Sequence, residues 1–158
     1  MSIEWLIPTA IVVATIVVME AIAAVIHRYV MHGFGWGWHR SHHEQRDCLF
    51  EKNDLYALLF ATISIGIFAA GAWLSALWWI GLGMAAYGIL YAILHDALVH
   101  RRLPVPWVPR RGYLKRLVQA HRLHHAVQER RGAVSFGFLY ALPVGRLVEQ
   151  LQAKRRTH

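Results

Sequence analysis

The chain has a single cysteine, Cys48, so no disulfide can form within it and cysteine usage does not reveal its compartment. Cys48 reads as a bystander. Charge is also missing over a long stretch: the forty residues from Leu55 to Leu94 contain no Asp, Glu, Lys or Arg. One helical span needs about 20 apolar residues, so this run fits two spans joined by a tight turn near Gly71 and Ser75. With an apolar share of 56%, it argues against a soluble core. Basic residues are absent from positions 1–4, and no small-residue cleavage site follows, which argues against a removable signal peptide.

The remaining sequence fits one membrane domain over 1–158. Residues 5–26 form an apolar run broken only by Glu20, with Pro8 tolerable in a first helical turn. The expected architecture is all-α, with about three transmembrane helices (5–26, 55–74 and 77–98) and a histidine-rich helical cap formed by 27–54 and 99–158. Trp73, Trp78 and Trp79 fall at the expected turn, where an aromatic belt would sit. Val134–Val144 is too short to span and reads as a segment lying on or dipping into the membrane face. The tail from Lys154 to His158 reads as disordered.

All seventeen Lys and Arg residues lie in 28–52 or from 101 onward, and none lies in the turn at 72–77. The positive-inside rule then makes the cap cytoplasmic and puts the N-terminus outside. The net charge of +8 is explained by topology and contact with anionic lipid, so no nucleic-acid partner is expected.

Ten of the eleven histidines occur in two copies of a compound pattern. His27 and His32 form HxxxxH and are followed by His39, His42 and His43 as HxxHH. His95 and His100, then His121, His124 and His125, repeat it. On a helix the first residue of HxxHH neighbours both the fourth and the fifth, so each block is expected to aim its imidazoles at a common place. An i,i+5 pair diverges by about 140° on a regular helix, so HxxxxH serves one metal if the turn loosens or two adjacent metals if it does not. Neutral imidazole suits iron, copper, zinc and nickel, and ten histidines fit two metals with four or five ligands each.

Two carboxylates join this set. Asp96 is placed to accept the second ring N–H of a ligand histidine and orient it. Glu20, seven residues before His27, is an ionisable group inside a span and hence a functional candidate. Glu44 and Asp47, beside the first HxxHH, read as solvated.

The segments MHGFGWGWHRSHHE (31–44), LHDALVHRR (94–102) and QAHRLHHAVQERRGAVSFGFLYA (119–141) resemble the fatty acid hydroxylase/sterol desaturase superfamily of membrane di-iron oxygenases. They are most similar to its bacterial β-carotene hydroxylases, and with the spans the likeness covers nearly the whole chain. The resemblance implies a centre of two iron ions, O2 as co-substrate and reduced ferredoxin as electron donor. It implies hydroxylation of the β-ionone ring at carbon 3, from β-carotene to β-cryptoxanthin to zeaxanthin, with all ten patterned histidines as iron ligands. Arg130-Arg131 departs from the expected acidic or neutral stretch, leaving the metal site alone but altering the surface met by a redox partner.

A carotenoid is expected to enter sideways from the bilayer. Phe34, Trp36 and Trp38 are expected to line its groove, helped by close packing at Gly33, Gly35 and Gly37, with Phe136 and Phe138 closing it. A fatty-acid or sterol hydroxylase or desaturase of the same superfamily is the alternative enzyme, and a ring ketolase fits the motifs less well. A membrane metal-binding or transport protein would need polar groups through the spans, and 55–94 offers only Thr62, Ser64, Ser75 and tyrosines.

Overall fold

The computed structural model describes residues 3–44 and 50–156. Asp47, Cys48 and His158 lie outside the described residues, and so do the expectations placed on them. Among the described residues all regular structure is helical.

A short turn at Ile3–Trp5 leads into α1 (Leu6–Ile26), which passes without interruption into a π-helical segment at His27–Phe34. The backbone leaves helical geometry at Gly33, and α2 (Trp36–His43) starts after Gly35. Helices α3 (Asp54–Ala70) and α4 (Ser75–Tyr91) follow, with the chain turning between them at Gly71–Leu74. A second π-helical segment, Ala92–Val99, extends α4. Beyond it come α5 (Gly112–His125) and α6 (Val144–Arg156).

Two continuous helices, Ile3–Phe34 and Ser75–Val99, are long and apolar enough to cross a membrane. The run expected to span at 55–74 forms a shorter apolar helix, α3, of 17 residues, because the turn begins at Gly71. α1 and α4 run side by side in the same direction. Their distal ends meet where Trp5 packs edge-on against Trp79, and further along the pair Tyr87 reaches Glu20. α3 returns antiparallel to α4, with Phe68 against Trp78 and the Ser64 hydroxyl donating to Gly81 O. Large apolar side chains such as Val13, Val17, Val25, Ile65 and Ile89 are exposed on these helices. A contiguous apolar exterior of this kind suits lipid rather than water.

The opposite end carries the cap. α5 and α6 bury a small core through Leu117, Ala120, Leu147 and Leu151, joined by Val127, Ala133 and Val134 of the connecting segment. One expectation changes here. Residues 154–156 are the last turn of α6, where Lys154 Nζ donates to Ala133 O (2.6 Å), so a tail expected to be disordered is helical up to Arg156. Val134–Val144 threads inward between α1 and α5, because its backbone serves as acceptor for buried histidines and as donor to Glu20.

Close approach of α1 and α4 depends on Gly83. A Cβ there would lie 2.6 Å from Thr15 Cβ and 3.0 Å from Val12 O. Gly83→Ala should therefore force the helices apart and destabilise the protein by about 1–3 kcal/mol. Gly66→Ala on α3 meets nothing within 4 Å and should be neutral or stabilising, since alanine is favoured over glycine in helices by about 1 kcal/mol. Thermal unfolding of the two variants in detergent reads the contrast directly.

Candidate metal centre

The ten patterned histidines converge at the junction of bundle and cap in two groups of five. One contains His27, His32, His39, His43 and His124; the other contains His42, His95, His100, His121 and His125. Within each group one ring nitrogen per residue lies within 4.8 Å of all the others. We refer to these as the first and second cluster.

Local structure explains the sorting. His27, His32 and His95 sit in the π-helical segments, where the backbone bonds i to i+5, and His100 directly follows the second of them. His100 N donates to His95 O at 2.9 Å, an i,i+5 bond that brings residues five apart onto one face. The turn thus loosens, and each HxxxxH pair stays within one cluster.

The HxxHH blocks do the reverse of what was expected. Each splits, with His39 and His43 facing the first cluster and His42 the second, while His121 and His125 face the second and His124 the first. On a helix the i+3 and i+4 positions flank residue i on opposite sides, about 100° apart. A compact cluster therefore takes the i,i+4 pair and passes the intervening residue to its neighbour. The two clusters touch, as where His43 stacks on His125 with ring centroids 4.4 Å apart.

Hydrogen bonding fixes the tautomers of the first cluster. The Nδ1–H groups donate outward to Phe136 O from His27 (2.9 Å), Arg130 O from His32 (2.9 Å), Asn53 Oδ1 from His39 (2.7 Å), Val127 O from His43 (2.8 Å) and Val134 O from His124 (3.0 Å). Each acceptor is an oxygen, so each ring carries its proton on Nδ1 and presents a bare Nε2 inward. Those inner nitrogens are 3.0 Å apart for His27 and His39, 3.1 Å for His32 and His124, and 3.2 Å for His39 and His43. In the second cluster the Nε2 pairs are 2.9 Å apart for His42 and His95 and 3.0 Å for His121 and His125. Facing lone pairs at such distances repel unless a cation lies between them. Two nitrogens at right angles on a cation at about 2.1 Å are about 3.0 Å apart, so the spacing fits a coordination shell.

Burial reinforces this donor set. It drives the pKa of His39 down to about 3 and that of His43 to about 4. Burial, and after it the neighbouring imidazoles, also lowers His42, His121, His124 and His125. At neutral pH these rings are neutral and able to ligate.

The carboxylates take distinct places. Asp96 Oδ1 accepts from His95 Nδ1 (2.8 Å), its sequence neighbour. Glu20 lies away from the ring nitrogens and staples α1 to the segment above it. Its Oε1 accepts from Phe138 N and Tyr140 N (both 2.9 Å), and Tyr87 Oη donates to its Oε2 (3.0 Å). Gly137 is required there, since a Cβ would lie 2.5 Å from Glu20 Oε1. Glu44 pairs with Arg40 at the surface, as a solvated side chain would.

Three partners had no motif to announce them. Asn53 holds His39, Glu51 Oε2 accepts from His42 Nδ1 (2.9 Å), and Arg102 ties Glu51, Asp54 and Asp96 together. The one available signal was scarcity, since only nine acids exist in the chain and several flank the apolar run. Arg130, expected to act only at the surface, contacts the first cluster: its carbonyl accepts from His32 and its Nε donates to His32 O (3.2 Å).

An apolar cavity of about 470 Å³ lies between α1, α3 and α4. Met19, Ala23, Phe60, Met84 and Ile89 are among its walls, and Tyr91, Asp96 and Phe138 line it where it nears the clusters. Tyr91 stacks on His95 (4.4 Å between centroids), while Phe138 lies parallel to His27 (5.3 Å) and edge-on to His95 (5.3 Å). Of the five aromatics expected along a groove, only Phe138 lines this cavity. Phe34 is 86% exposed, Trp38 packs on Tyr56, Trp36 packs on His32 and His43, and Phe136 packs on His27 and His124. Trp36 and Phe136 thus buttress the histidines and Trp38 packs against α3, while the bundle itself supplies the cavity walls. Of the three glycines between them, Gly35 alone is closely packed, beneath Tyr56.

Comparison with known proteins places this geometry. The fatty acid hydroxylase family model matches residues 12–144. A β-carotene hydroxylase of Paracoccus sp. (strain PC1) is 58% identical over 144 residues, which cover 90% of this chain and 89% of that protein. One of Pantoea ananas is 53% identical, with 95% of this chain and 86% of that protein covered. The chloroplastic β-carotene 3-hydroxylase 1 of Arabidopsis thaliana is 38% identical over 73% of this chain and 39% of its own length. No solved structure matches the chain.

The metal-free protein should lose stability in acid. Histidines whose folded pKa is depressed cost nothing above about 6.5. Below that value the unfolded chain takes up protons that the folded one refuses, so stability falls as pH drops towards the depressed values of about 4 and 3. Denaturant midpoints measured from pH 7.5 to 4 should fall steeply below pH 6.5, and a flat profile would contradict the buried neutral state.

Proposed function

The chain belongs to the fatty acid hydroxylase family, and on that premise we propose that it is a di-iron monooxygenase acting on carotenoids in the membrane. The reaction is hydroxylation of the β-ionone ring at carbon 3, taking β-carotene through β-cryptoxanthin to zeaxanthin. The observation that carries this reading is the pair of converging imidazole cages at the inner end of an apolar cavity. The ten histidines hold two iron ions, which when bound supply the dioxygen activation that no side chain can perform.

The chain's own residues do the rest. Tyr91 and Phe138 form the apolar end wall that holds the ring beside His95. Met19, Phe60 and Met84 grip the adjoining hydrocarbon by shape. Ile65 and Ile89 line the cavity and are exposed on the apolar flank, which supports sideways uptake from lipid. Asp96, Glu51, Asn53 and the carbonyls of Val127, Arg130, Val134 and Phe136 keep the rings in the ligating tautomer.

The same reading makes α3 a third span. Seventeen residues extend about 26 Å, near the lower limit for crossing the hydrocarbon core. The basic cap then faces the cytoplasm from a bacterial inner membrane and the N-terminus lies outside. Reduced ferredoxin is the proposed electron donor. A second cavity, with His125 in its wall and Arg131, Lys154 and Arg155 around it, offers an acidic protein a basic approach to the second cluster. Lipid and carotenoid are the remaining partners, and no nucleic acid is required.

Expression with ferredoxin and its reductase in cells that accumulate β-carotene should yield products heavier by one and two oxygen atoms, the second co-eluting with zeaxanthin. Unchanged β-carotene beside folded, iron-loaded protein would redirect the reading to fatty-acid, sterol or keto-carotenoid substrates. Ala61→Phe, which narrows the cavity, should lower turnover about tenfold or more while leaving iron content unchanged. His124→Ala should abolish turnover together with iron at the first cluster.

A further inference from the structure

The acceptors behind the two clusters differ in charge. All five Nδ1–H donors of the first cluster meet neutral oxygens, four main-chain carbonyls and the Asn53 amide. In the second cluster His42 donates to the Glu51 carboxylate (2.9 Å) and His95 to the Asp96 carboxylate (2.8 Å). These are the two rings whose Nε2 atoms lie 2.9 Å apart. A carboxylate on the far nitrogen makes imidazole a stronger donor than a carbonyl does.

The wider surroundings point the same way. Arg102 grips Asp54 with both terminal nitrogens (2.7 Å each) and lies 3.5 Å from Asp96 and 3.7 Å from Glu51. One guanidinium therefore serves three carboxylates behind the second cluster. Arg101, with φ of 52°, turns the chain after His100 into this position, and Arg102 N donates to Asp96 O (2.8 Å). Behind the first cluster the charged side chains are basic ones bonded to main-chain carbonyls: Arg130 Nε donates to His32 O, and Lys154 Nζ, also in the wall of the cavity that reaches His125, donates to Ala133 O beside the acceptor Val134.

We infer that the two metal positions are inequivalent, with the second cluster binding its ion more tightly because Glu51 and Asp96, positioned by Arg102, back its histidines. This rests on the reading that both clusters bind metal. Glu51, Asp96 and Arg102 are positioning residues, acting through His42 and His95.

The experiment is titration of the metal-free full chain in detergent with cobalt(II), followed by its visible absorption. The expected result is two ions per chain in two steps, with dissociation constants at least about tenfold apart. Glu51→Gln should weaken the tighter step by about 10–100-fold and leave the weaker one unmoved. Asn53→Asp, which puts a carboxylate behind His39, should strengthen the weaker step and narrow the gap. Glu44→Gln, at the exposed pair with Arg40, should change neither. If Glu51→Gln does not fold, Asp96→Asn tests the same cluster. In protein loaded with iron-57, Mössbauer spectra of the diferrous state should show two quadrupole doublets, only one of which moves in Glu51→Gln. Two ions bound in one step, with Glu51→Gln weakening both equally, would overturn the inequivalence and leave metal binding intact. Fewer than two ions per folded chain would overturn the underlying reading itself.

Discussion

Facing lone pairs are the constraint on which the rest of this molecule depends. In the first cluster five imidazoles point unprotonated Nε2 atoms at one another, since each Nδ1–H is engaged by an oxygen outside. A buried acceptor left without a donor costs about 1–3 kcal/mol. Five of them approach the entire stability of an ordinary domain, about 5–15 kcal/mol. A structural cation returns about 10–16 kcal/mol to the groups that bind it. The arrangement is therefore costly alone and favourable around a metal, which suits a site formed for one and not a structural histidine network.

Holding such a site demands rigid backing from outside. Much of it comes from the irregular chain between α5 and α6, whose carbonyls at Val127, Arg130, Val134 and Phe136 each accept from a histidine. Ser135 has a positive φ of 59°, and on either side of it the carbonyls of Val134 and Phe136 serve two rings of the same cluster. Glu20 fixes this segment from below through Phe138 N and Tyr140 N. Its carboxyl group, inside an apolar helix, supports the roof of the site without touching the inner nitrogens. The ionisable residue singled out inside a span is bonded to the main chain of this segment and to Tyr87, not to a histidine ring.

The histidine set, the helical class and the apolar helices were legible because each rests on local periodicity or composition. The partition of the ten histidines between two clusters was not. Spacing was judged on a regular α-helix, whereas residues 27–34 and 92–99 adopt π-helical turns that bring His27 to His32 and His95 to His100. Within α2 and α5 the helix is regular, and there simple geometry already separates i+3 from i+4 about residue i. The placement of Phe34, Trp36, Trp38 and Phe136 away from the cavity has a different reason. Aromatics near a histidine block look like pocket walls in sequence, but Trp36 and Phe136 pack on the histidines themselves while the cavity is walled mainly by side chains of α1, α3 and α4, Phe60 and Tyr87 among them. Nothing local to Asn53 or Glu51 reveals that they meet a histidine, and nothing local to Arg102 that it meets three carboxylates.

Interleaving the two patterns has a mechanical consequence. Because each HxxHH helix contributes to both clusters, α2 and α5 cannot move relative to one another without disturbing both at once. The π-helical segments, by contrast, each belong to one cluster and continue directly from α1 and α4. α1 and α4 are the same helices that bound the apolar cavity, and Tyr91 and Phe138 stand between that cavity and the rings. The two clusters are thus coupled to each other through the cap and to the cavity through the bundle. A displacement of α1 against α4, as a side chain at Gly83 would impose, reaches His27 and His95 along continuous helix and alters both the cavity and the nitrogen spacing. The separation of those two helices therefore sets, together, the width of the cavity and the spacing of the inner nitrogens.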